Sequence, residues 1–275
     1  GWKPKCDEGI VMGLAPYGQP EYLGKLEDVV LIQKDGTYKL NLKYFRHHNE
    51  DIELDWSGGS PTVGQLYKQE NLEALLGFPP RLKDEELSSD HFNLARSVQD
   101  MYEKAFFALL NKVYESNPND NLTLAGGCGN NSVANGKIYR KTPFKKAYIA
   151  ASAGDAGGAI GAAFYTLSQI NSDKSRFNMN HAYWGPSFSN EYIENLIKNN
   201  KEKLLSEGCE VKFYDQEKNL CDDVADFISK GLVIGWFQGR MEWGPRALGN
   251  RSILCDPRRQ DMKDILNLKI KRRES

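Results

Sequence analysis

The residues best suited to chemistry lie in residues 239–252, where Arg240, Arg246 and Arg251 alternate with glycines. Glycine lets a backbone approach a ligand closely, and a guanidinium group binds phosphate or carboxylate through two parallel hydrogen bonds. An apolar run at 232–237 leads into this segment. A buried strand that ends in arginine-rich turns favours an anion site, whereas the alternative interpretation is a solvated basic loop.

Two glycine turns, each after a short apolar run, form the second group of candidates. Small residues at the start of a helix leave backbone N–H groups free for a phosphate or a nucleoside. The candidate residues are Gly126, Gly127, Asn130, Asn131, Gly154, Asp155, Gly157 and Gly158. The structural alternatives are an asparagine-capped turn at the first site and helix capping by Asp155 at the second. Neither turn matches a P-loop or a G-x-G-x-x-G motif.

Hydrophobic periodicity predicts the elements that must position these turns. We expect a hairpin over 28–48, helices over 93–116, 156–167, 190–199, 220–230 and 261–268, and strands over 122–125, 147–150, 210–214 and 232–237. The strand, glycine turn and helix pattern occurs twice, which predicts α/β architecture with ligand sites at the carboxyl ends of strands. The polar stretch 174–180 is the predicted domain boundary.

Composition limits the classes of partner. The chain of 275 residues has a formal net charge of −1, although its basic residues concentrate between 240 and 273. A net charge so close to zero argues against a nucleic-acid or membrane partner. Five widely spaced cysteines without a C-x-x-C pair favour reduced thiols in the cytosol. We therefore expect a cytoplasmic protein, and we consider a homodimer.

The arginine segment resembles the signature of O-carbamoyltransferases of the NodU/CmcH type, which carbamoylate nodulation factors and antibiotics. Other motifs agree with that family in the same order, and together they extend over nearly the whole chain. They are Val11-Met12-Gly13-Leu14-Ala15-Pro16-Tyr17-Gly18, Leu124-Ala125-Gly126-Gly127-Cys128-Gly129-Asn130-Asn131-Ser132, Gly154-Asp155-Ala156-Gly157-Gly158-Ala159-Ile160-Gly161-Ala162-Ala163, Ala182-Tyr183-Trp184-Gly185-Pro186 and Lys269-Ile270-Lys271-Arg272-Arg273-Glu274-Ser275.

The resemblance implies an α/β protein with two domains. Residues 1–175 would be the C-terminal part of an actin-like ATPase (ribonuclease H-like) domain. Residues 176–275 would be the truncated start of a YrdC-like α/β domain. The implied activity is ATP-dependent O-carbamoyl transfer from carbamoyl phosphate, through carbamoyl adenylate, to a hydroxyl of a small-molecule acceptor such as a sugar or a natural product.

The resemblance also assigns roles to single residues. Arg246, Lys271 and Arg273 take catalytic roles, and Arg240, Arg246, Arg251 and Lys271 bind carbamoyl phosphate. The glycine turns bind ATP or the adenylate, and Asp155 matches a ligand of a divalent metal, iron or magnesium. For Lys271 and Arg273 the structural alternative is a frayed basic tail.

The family's two metal-binding histidines have no counterpart here. None of His47, His48, His91 and His181 lies in the family's His-x-x-x-His context. Adjacent residues of a strand point to opposite faces, so we expect His47 and His48 to be surface residues. These departures suggest a fragment, and we expect this chain alone to be inactive.

Two rival functions remain open at this point. An actin-like metabolite kinase shares the glycine turns but has no need of a second site for polyphosphates. A nucleic-acid-binding module would use the basic residues 240–273 on phosphates, but it lacks a basic and aromatic platform.

Overall fold

The computed structural model describes residues 7–57, 62–82, 85–171 and 177–270 and combines helices with two-stranded sheets. The described residues form two compact units. The first contains the residues up to Leu124 together with Cys128–Ile149, and the second contains Ala125–Gly127 and the residues from Ala150 onward. The mixture of helix and sheet agrees with the predicted α/β class. The domain division at residues 175 and 176, predicted from the polar stretch 174–180, stays a prediction.

Six helices and six strands are described in the first unit. The helices are α1 (Glu8–Leu14), α2 (Leu23–Leu26), α3 (Gln69–Leu76), α4 (Ser89–Ser116), α5 (Ser132–Asn135) and α6 (Ile138–Lys141). The strands are β1 (Val30–Ile32), β2 (Tyr38–Leu40), β3 (Leu54–Asp55), β4 (Thr62–Val63), β5 (Asn121–Leu124) and β6 (Lys146–Ile149). Short 3₁₀ turns lie at Ala15–Tyr17, Leu42–Tyr44 and Gly127–Asn130.

The long helix α4 organises the core of this unit. Met101 packs in one buried cluster with Tyr44, and Phe107 packs in a second with Ile138. Burying each such side chain contributes about 1.5–3 kcal/mol. The helix begins four residues before the predicted start because the Ser88 N–H donates to Nδ1 of His91 at 2.9 Å and caps the first turn.

The predicted hairpin is confirmed only in part. Strands β1 and β2 pair antiparallel, with Val30 opposite Leu40. Beyond Leu40 the chain turns into the 3₁₀ segment, so the predicted alternation through Tyr44 is not a strand. His47 and His48 lie in a turn rather than in a strand, and both are exposed as expected.

Strands β5 and β6 pair in parallel, with Asn121 opposite Lys146 and Leu124 opposite Ile149. Helices α5 and α6 form the connection between them. The predicted strand, turn and helix pattern is therefore confirmed here. Because the two strands are parallel, their carboxyl ends meet at one edge, and the glycine turns follow from that edge.

The second unit contains five α-helices and one strand pair among its described residues. The helices are α7 (Gly157–Ile170), α8 (Asn190–Asn199), α9 (Lys201–Ser206), α10 (Glu217–Ser229) and α11 (Met262–Asp264), and a π-helical segment follows at Ile265–Ile270. Strands β7 (Ile234–Phe237) and β8 (Arg251–Leu254) pair antiparallel. The predicted strand over 210–214 is wrong, because no described strand lies beside it and its Phe213 side chain is exposed.

Four of the five cysteines, namely Cys128, Cys209, Cys221 and Cys255, are free thiols, and Cys6 lies outside the described residues. Within the described ranges, no helix has both the length and the apolar character that crossing a membrane requires.

Candidate functional site

The first glycine turn leaves β5 and lies against the segment that leaves β6. Gly126 has φ +96°, a left-handed conformation that favours glycine, and its N–H donates to the Ala153 carbonyl at 2.7 Å. A Cβ atom added at Gly126 or Gly127 would have no neighbouring atom within 4 Å. The backbone at this turn therefore faces open space, where a ligand has room to approach.

The second turn starts helix α7. The Gly157 N–H donates to the Gly154 carbonyl at 2.9 Å, and the Gly158 N–H donates to the Asp155 carbonyl at 3.0 Å. A Cβ at Gly157 would lie 2.3 Å from the Ser152 carbonyl oxygen, so the turn requires glycine there. The capping alternative for Asp155 is wrong, because Ala156 occupies the N-cap position. The Asp155 carboxylate is exposed.

Asn130 and Asn131, in the first unit, differ in their surroundings. Asn131 caps α5 by accepting the Ala134 N–H at 3.1 Å, and its amide donates to Oε1 of Gln99 at 2.9 Å. The structural alternative for Asn131 is thus confirmed. Asn130 is half-buried, and within the described parts of the chain its side chain makes no hydrogen bond. The predicted nucleotide-binding role of both residues stays a prediction.

The arginine-rich segment is the loop that connects β7 to β8. All three of its glycines, Gly239, Gly244 and Gly249, have φ between +61° and +120°, which fits the predicted turns. Residues 182–186 lie alongside the loop: the Trp243 N–H donates to the Ala182 carbonyl at 2.7 Å. Nε of Arg240 donates to the carbonyl of Gly185, also in that segment, at 2.9 Å. The Arg240 guanidinium is therefore held by a neutral acceptor and keeps its charge.

Glu242 is the buried centre of this loop. Its side chain accepts the backbone N–H groups of Leu248 at 2.6 Å and Asn250 at 2.8 Å. Nε of Arg251 donates to its other oxygen at 2.9 Å. Burial alone would raise the pKa of Glu242, but the Leu248 N–H, the Arg251 guanidinium and the Asn250 N–H lower the pKa to about 2. Glu242 is therefore ionised at neutral pH and neutralises Arg251.

Arg246 lies in the same loop with different surroundings. Its side chain is exposed, and within the described residues it makes no hydrogen bond or ion pair. Its backbone carbonyl, in contrast, accepts Nη2 of Arg251 at 3.4 Å. The structure thus fixes the Arg246 backbone and leaves the guanidinium free to bind an anion.

The loop packs on the segment that follows β6. A Cβ at Gly244 would lie 2.4 Å from the Ala151 carbonyl oxygen, so the two backbones are in close contact. Since Gly126 bonds to Ala153 and Trp243 bonds to Ala182, four segments that carry predicted motifs meet in the second unit. We call this group the loop cluster, and it comprises residues 125–127, 150–158, 182–186 and 239–251. A shallow cavity of ≈ 700 Å³ lies beside it, lined in part by Trp236, Ala247 and Arg251.

The predicted catalytic residues at the end of the chain and the predicted metal site stay predictions. Lys271 and Arg273 lie outside the described residues. Within the ranges that the structure describes, no group of three or more His, Cys, Asp or Glu side chains could hold a metal ion. The predicted role of Asp155 as a metal ligand stays a prediction.

Sequence reasoning missed Glu242, which became evident only through its burial. The one available signal was that Glu242 is the single acidic residue among the arginines of 239–252. The segment 182–186 was noticed as a family motif, but its contact with the arginine loop could not be predicted from the sequence.

The fold and the loop cluster define an α/β protein with glycine turns beside a cationic loop. Comparison with known sequences specifies the family. Residues 1–164 match the family model described as "Carbamoyltransferase N-terminus", and residues 225–275 match the one described as "Carbamoyltransferase C-terminus". The chain belongs to the carbamoyltransferase family.

Individual relatives agree with this assignment. An uncharacterized protein of Synechocystis sp. is 39% identical over 280 residues, which cover 100% of this chain and 42% of the relative. Nodulation protein NolO of Bradyrhizobium diazoefficiens is 33% identical over 98% of this chain and 43% of its own length. A 3'-hydroxymethylcephem-O-carbamoyltransferase of Amycolatopsis lactamdurans is 30% identical over 56% of this chain and 26% of its own length. The chain spans about two-fifths of the length of the first of these relatives.

Proposed function

We propose that the full-length protein is an ATP-dependent O-carbamoyltransferase that uses carbamoyl phosphate. The observation that carries the proposal is Arg246, an exposed guanidinium on a fixed loop beside two glycine turns. A guanidinium group is suited to binding phosphate, and the open space beside Gly126 and Gly127 leaves room for one, although the Gly126, Gly157 and Gly158 N–H groups donate within the chain. Family membership supports carbamoyl transfer as the reaction.

The proposed reaction has two parts. Carbamoyl phosphate is hydrolysed to carbamate and phosphate, and a carbamate oxygen attacks the α-phosphorus of ATP, releasing pyrophosphate and forming carbamoyl adenylate. The acceptor hydroxyl then attacks the carbamoyl carbon, loses its proton and displaces AMP. Because both donors are polyanions, cations are needed to offset their repulsion. Arg246 and Arg240 would supply those cations, together with Lys271 and Arg273, which the family resemblance assigns to the same role.

The glycine turns are the proposed place for the nucleotide. Gly126, Gly127 and Gly158 leave space beside the backbone, and Ala151, which precedes the second turn, contacts Gly244 of the arginine loop. We propose, from the family resemblance, an actin-like domain for the first part of the chain and a YrdC-like domain for the second. We propose, from the family resemblance, that Asp155 is a ligand of a divalent metal, iron or magnesium.

The acceptor is proposed to be a hydroxyl group on a small molecule. The name of the Amycolatopsis relative states that it carbamoylates a hydroxymethylcephem, and other relatives are named as nodulation proteins. We propose that the reaction here is likewise the conversion of an alcohol into a carbamate ester.

Product analysis tests the proposal. The full-length protein is incubated with carbamoyl phosphate, ATP and a panel of alcohols, and the products are identified by mass spectrometry. We expect AMP, pyrophosphate and an acceptor heavier by one carbamoyl group. ADP with a phosphorylated acceptor would instead establish the rival kinase, and the absence of any dependence on carbamoyl phosphate would refute carbamoyl transfer.

The nucleic-acid alternative is tested by salt. Affinity for a nucleic acid falls steeply as salt rises, because many phosphate contacts release counterions. We expect ATP affinity to fall less steeply over the same range of salt concentrations.

A further inference from the structure

We propose that Glu242 is a positioning residue for the anion site: together with Arg251, it holds the loop so that Arg246 can bind a substrate phosphate. This inference rests on the proposed function. It gives Arg251 a role inside the protein instead of direct contact with carbamoyl phosphate.

The two oxygens of Glu242 act on two sides of the loop. Oε1 accepts the N–H groups of Leu248 and Asn250, which flank Gly249. Oε2 accepts Nε of Arg251, at the start of β8. With the side chain fully buried, water does not compete for these bonds. One carboxylate therefore connects the end of the loop to the strand that follows it.

The loop has few other means of holding its shape. Among the described residues, no backbone N–H of 244–249 donates to a backbone carbonyl. Pro245 has no N–H, and Leu248 donates to Glu242 instead. The positive φ angles at Gly244 and Gly249 make these points of the chain intrinsically flexible. Removing the Glu242 charge should therefore loosen the loop more than its surroundings.

Arg251 extends the effect of Glu242 to Arg246. Its Nε bonds to Glu242, and its Nη2 donates to the Arg246 carbonyl at 3.4 Å. The guanidinium thus bridges the buried carboxylate and the backbone of the residue whose own side chain is free. Since Glu242 neutralises Arg251, and Arg240 donates to the Gly185 carbonyl, Arg246 is the arginine of the loop whose guanidinium makes no described hydrogen bond or ion pair.

Two contacts that do not involve Glu242 fix other parts of the segment. Gly244 lies against Ala151, and the Trp243 N–H bonds to the Ala182 carbonyl. These contacts hold the first half of the segment without the Glu242 carboxylate. A Glu242 variant should therefore keep its fold and lose mainly the orientation of residues 246–250.

The test is a double-variant cycle in the full-length protein, with inorganic phosphate as the probe and calorimetry as the readout. Arg246→Ala and Glu242→Gln are each expected to weaken phosphate binding about tenfold. Because Glu242 acts through Arg246, the double variant should bind phosphate no more weakly than Arg246→Ala alone.

Asp256→Asn is the matched control. Asp256 is also buried, also pairs with an arginine, Arg258, and lies outside the loop cluster. We expect Asp256→Asn to lower the melting temperature and leave phosphate affinity unchanged. Arg251→Lys is a milder change, because a lysine can still pair with the Glu242 carboxylate but has no second N–H group to donate to the Arg246 carbonyl. It should weaken phosphate binding about threefold.

The outcomes separate this inference from the proposed function. The positioning role would be overturned if the double variant bound phosphate more weakly than Arg246→Ala, by the product of the two single effects. It would also be overturned if the Glu242→Gln protein lost thermal stability but bound phosphate normally. Unchanged binding by Arg246→Ala would overturn the anion site and the positioning role together. Normal phosphate binding by the unaltered protein, without any carbamoylated product, would count against the proposed function alone.

Discussion

Replacing Arg246 with alanine tests the candidate site directly. Within the described residues, the Arg246 side chain makes no hydrogen bond or ion pair and is exposed. Its removal therefore breaks no described contact, and we expect the melting temperature to change by only about 1 °C. A charge-assisted hydrogen bond to phosphate is worth about 1.5–3 kcal/mol, so the KM for carbamoyl phosphate should rise about tenfold to a hundredfold.

The lysine variant refines the same prediction. Arg246→Lys keeps the charge but loses the two-pronged geometry, so it should recover only part of the affinity. Arg140→Ala is a suitable control, because Arg140 is also exposed and its side chain also lacks a partner among the described residues. Arg140 lies on α6 and belongs to none of the predicted motifs, so its removal should leave KM unchanged.

The assay is saturation with carbamoyl phosphate at fixed ATP, measured in parallel with thermal melting of each variant. If Arg246 has a structural role, the melting temperature falls by several degrees while KM stays near normal. That result, or equal KM values for Arg246→Ala and Arg140→Ala, would refute the assignment of Arg246 to the anion site.

Further predictions concern acid stability and close packing. The pKa values of Glu242 and Asp256 are each lowered to about 2, from ordinary values of 4.5 and 3.8. Each lowered pKa stabilises the folded protein fully at a pH above the ordinary pKa, and this stabilisation is lost as the pH falls towards 2. Between these pH values the unfolded protein should therefore bind about one more proton per carboxyl group than the folded protein. Glu242→Gln should remove one of these protons, as measured by the pH dependence of urea unfolding, and an unchanged slope would contradict this. Gly157→Ala should destabilise the fold by about 1–3 kcal/mol, because its Cβ would collide with the Ser152 carbonyl oxygen. Gly158→Ala is the control, because its Cβ would have no neighbouring atom within 4 Å. Equal melting temperatures for these two alanine variants would show that the turn relaxes without cost.

Several elements could be predicted from the sequence because their signals are local. Helix α8 lies at Asn190–Asn199, as predicted, since its periodicity and its Ser189 cap are local. Strands β5 and β6 were predicted from two apolar runs, each followed by a glycine turn, whereas their parallel pairing is a finding of the structure. The family motifs were likewise readable from residue types and order. The segment over 210–214 has strand-like alternation, but a strand also needs a neighbour, and the described structure provides none.

The candidate site divides in the same way. The sequence determined which residue types could bind anions, because glycine turns and guanidinium groups carry their chemistry wherever they lie. It could not separate Arg246 from Arg251, since both are arginines of one loop. Only the tertiary structure decided that Arg251 neutralises a buried carboxylate while Arg246 faces solvent. Burial and pairing depend on segments distant in sequence, such as 150–158 and 182–186, and these meet the loop only when the chain folds.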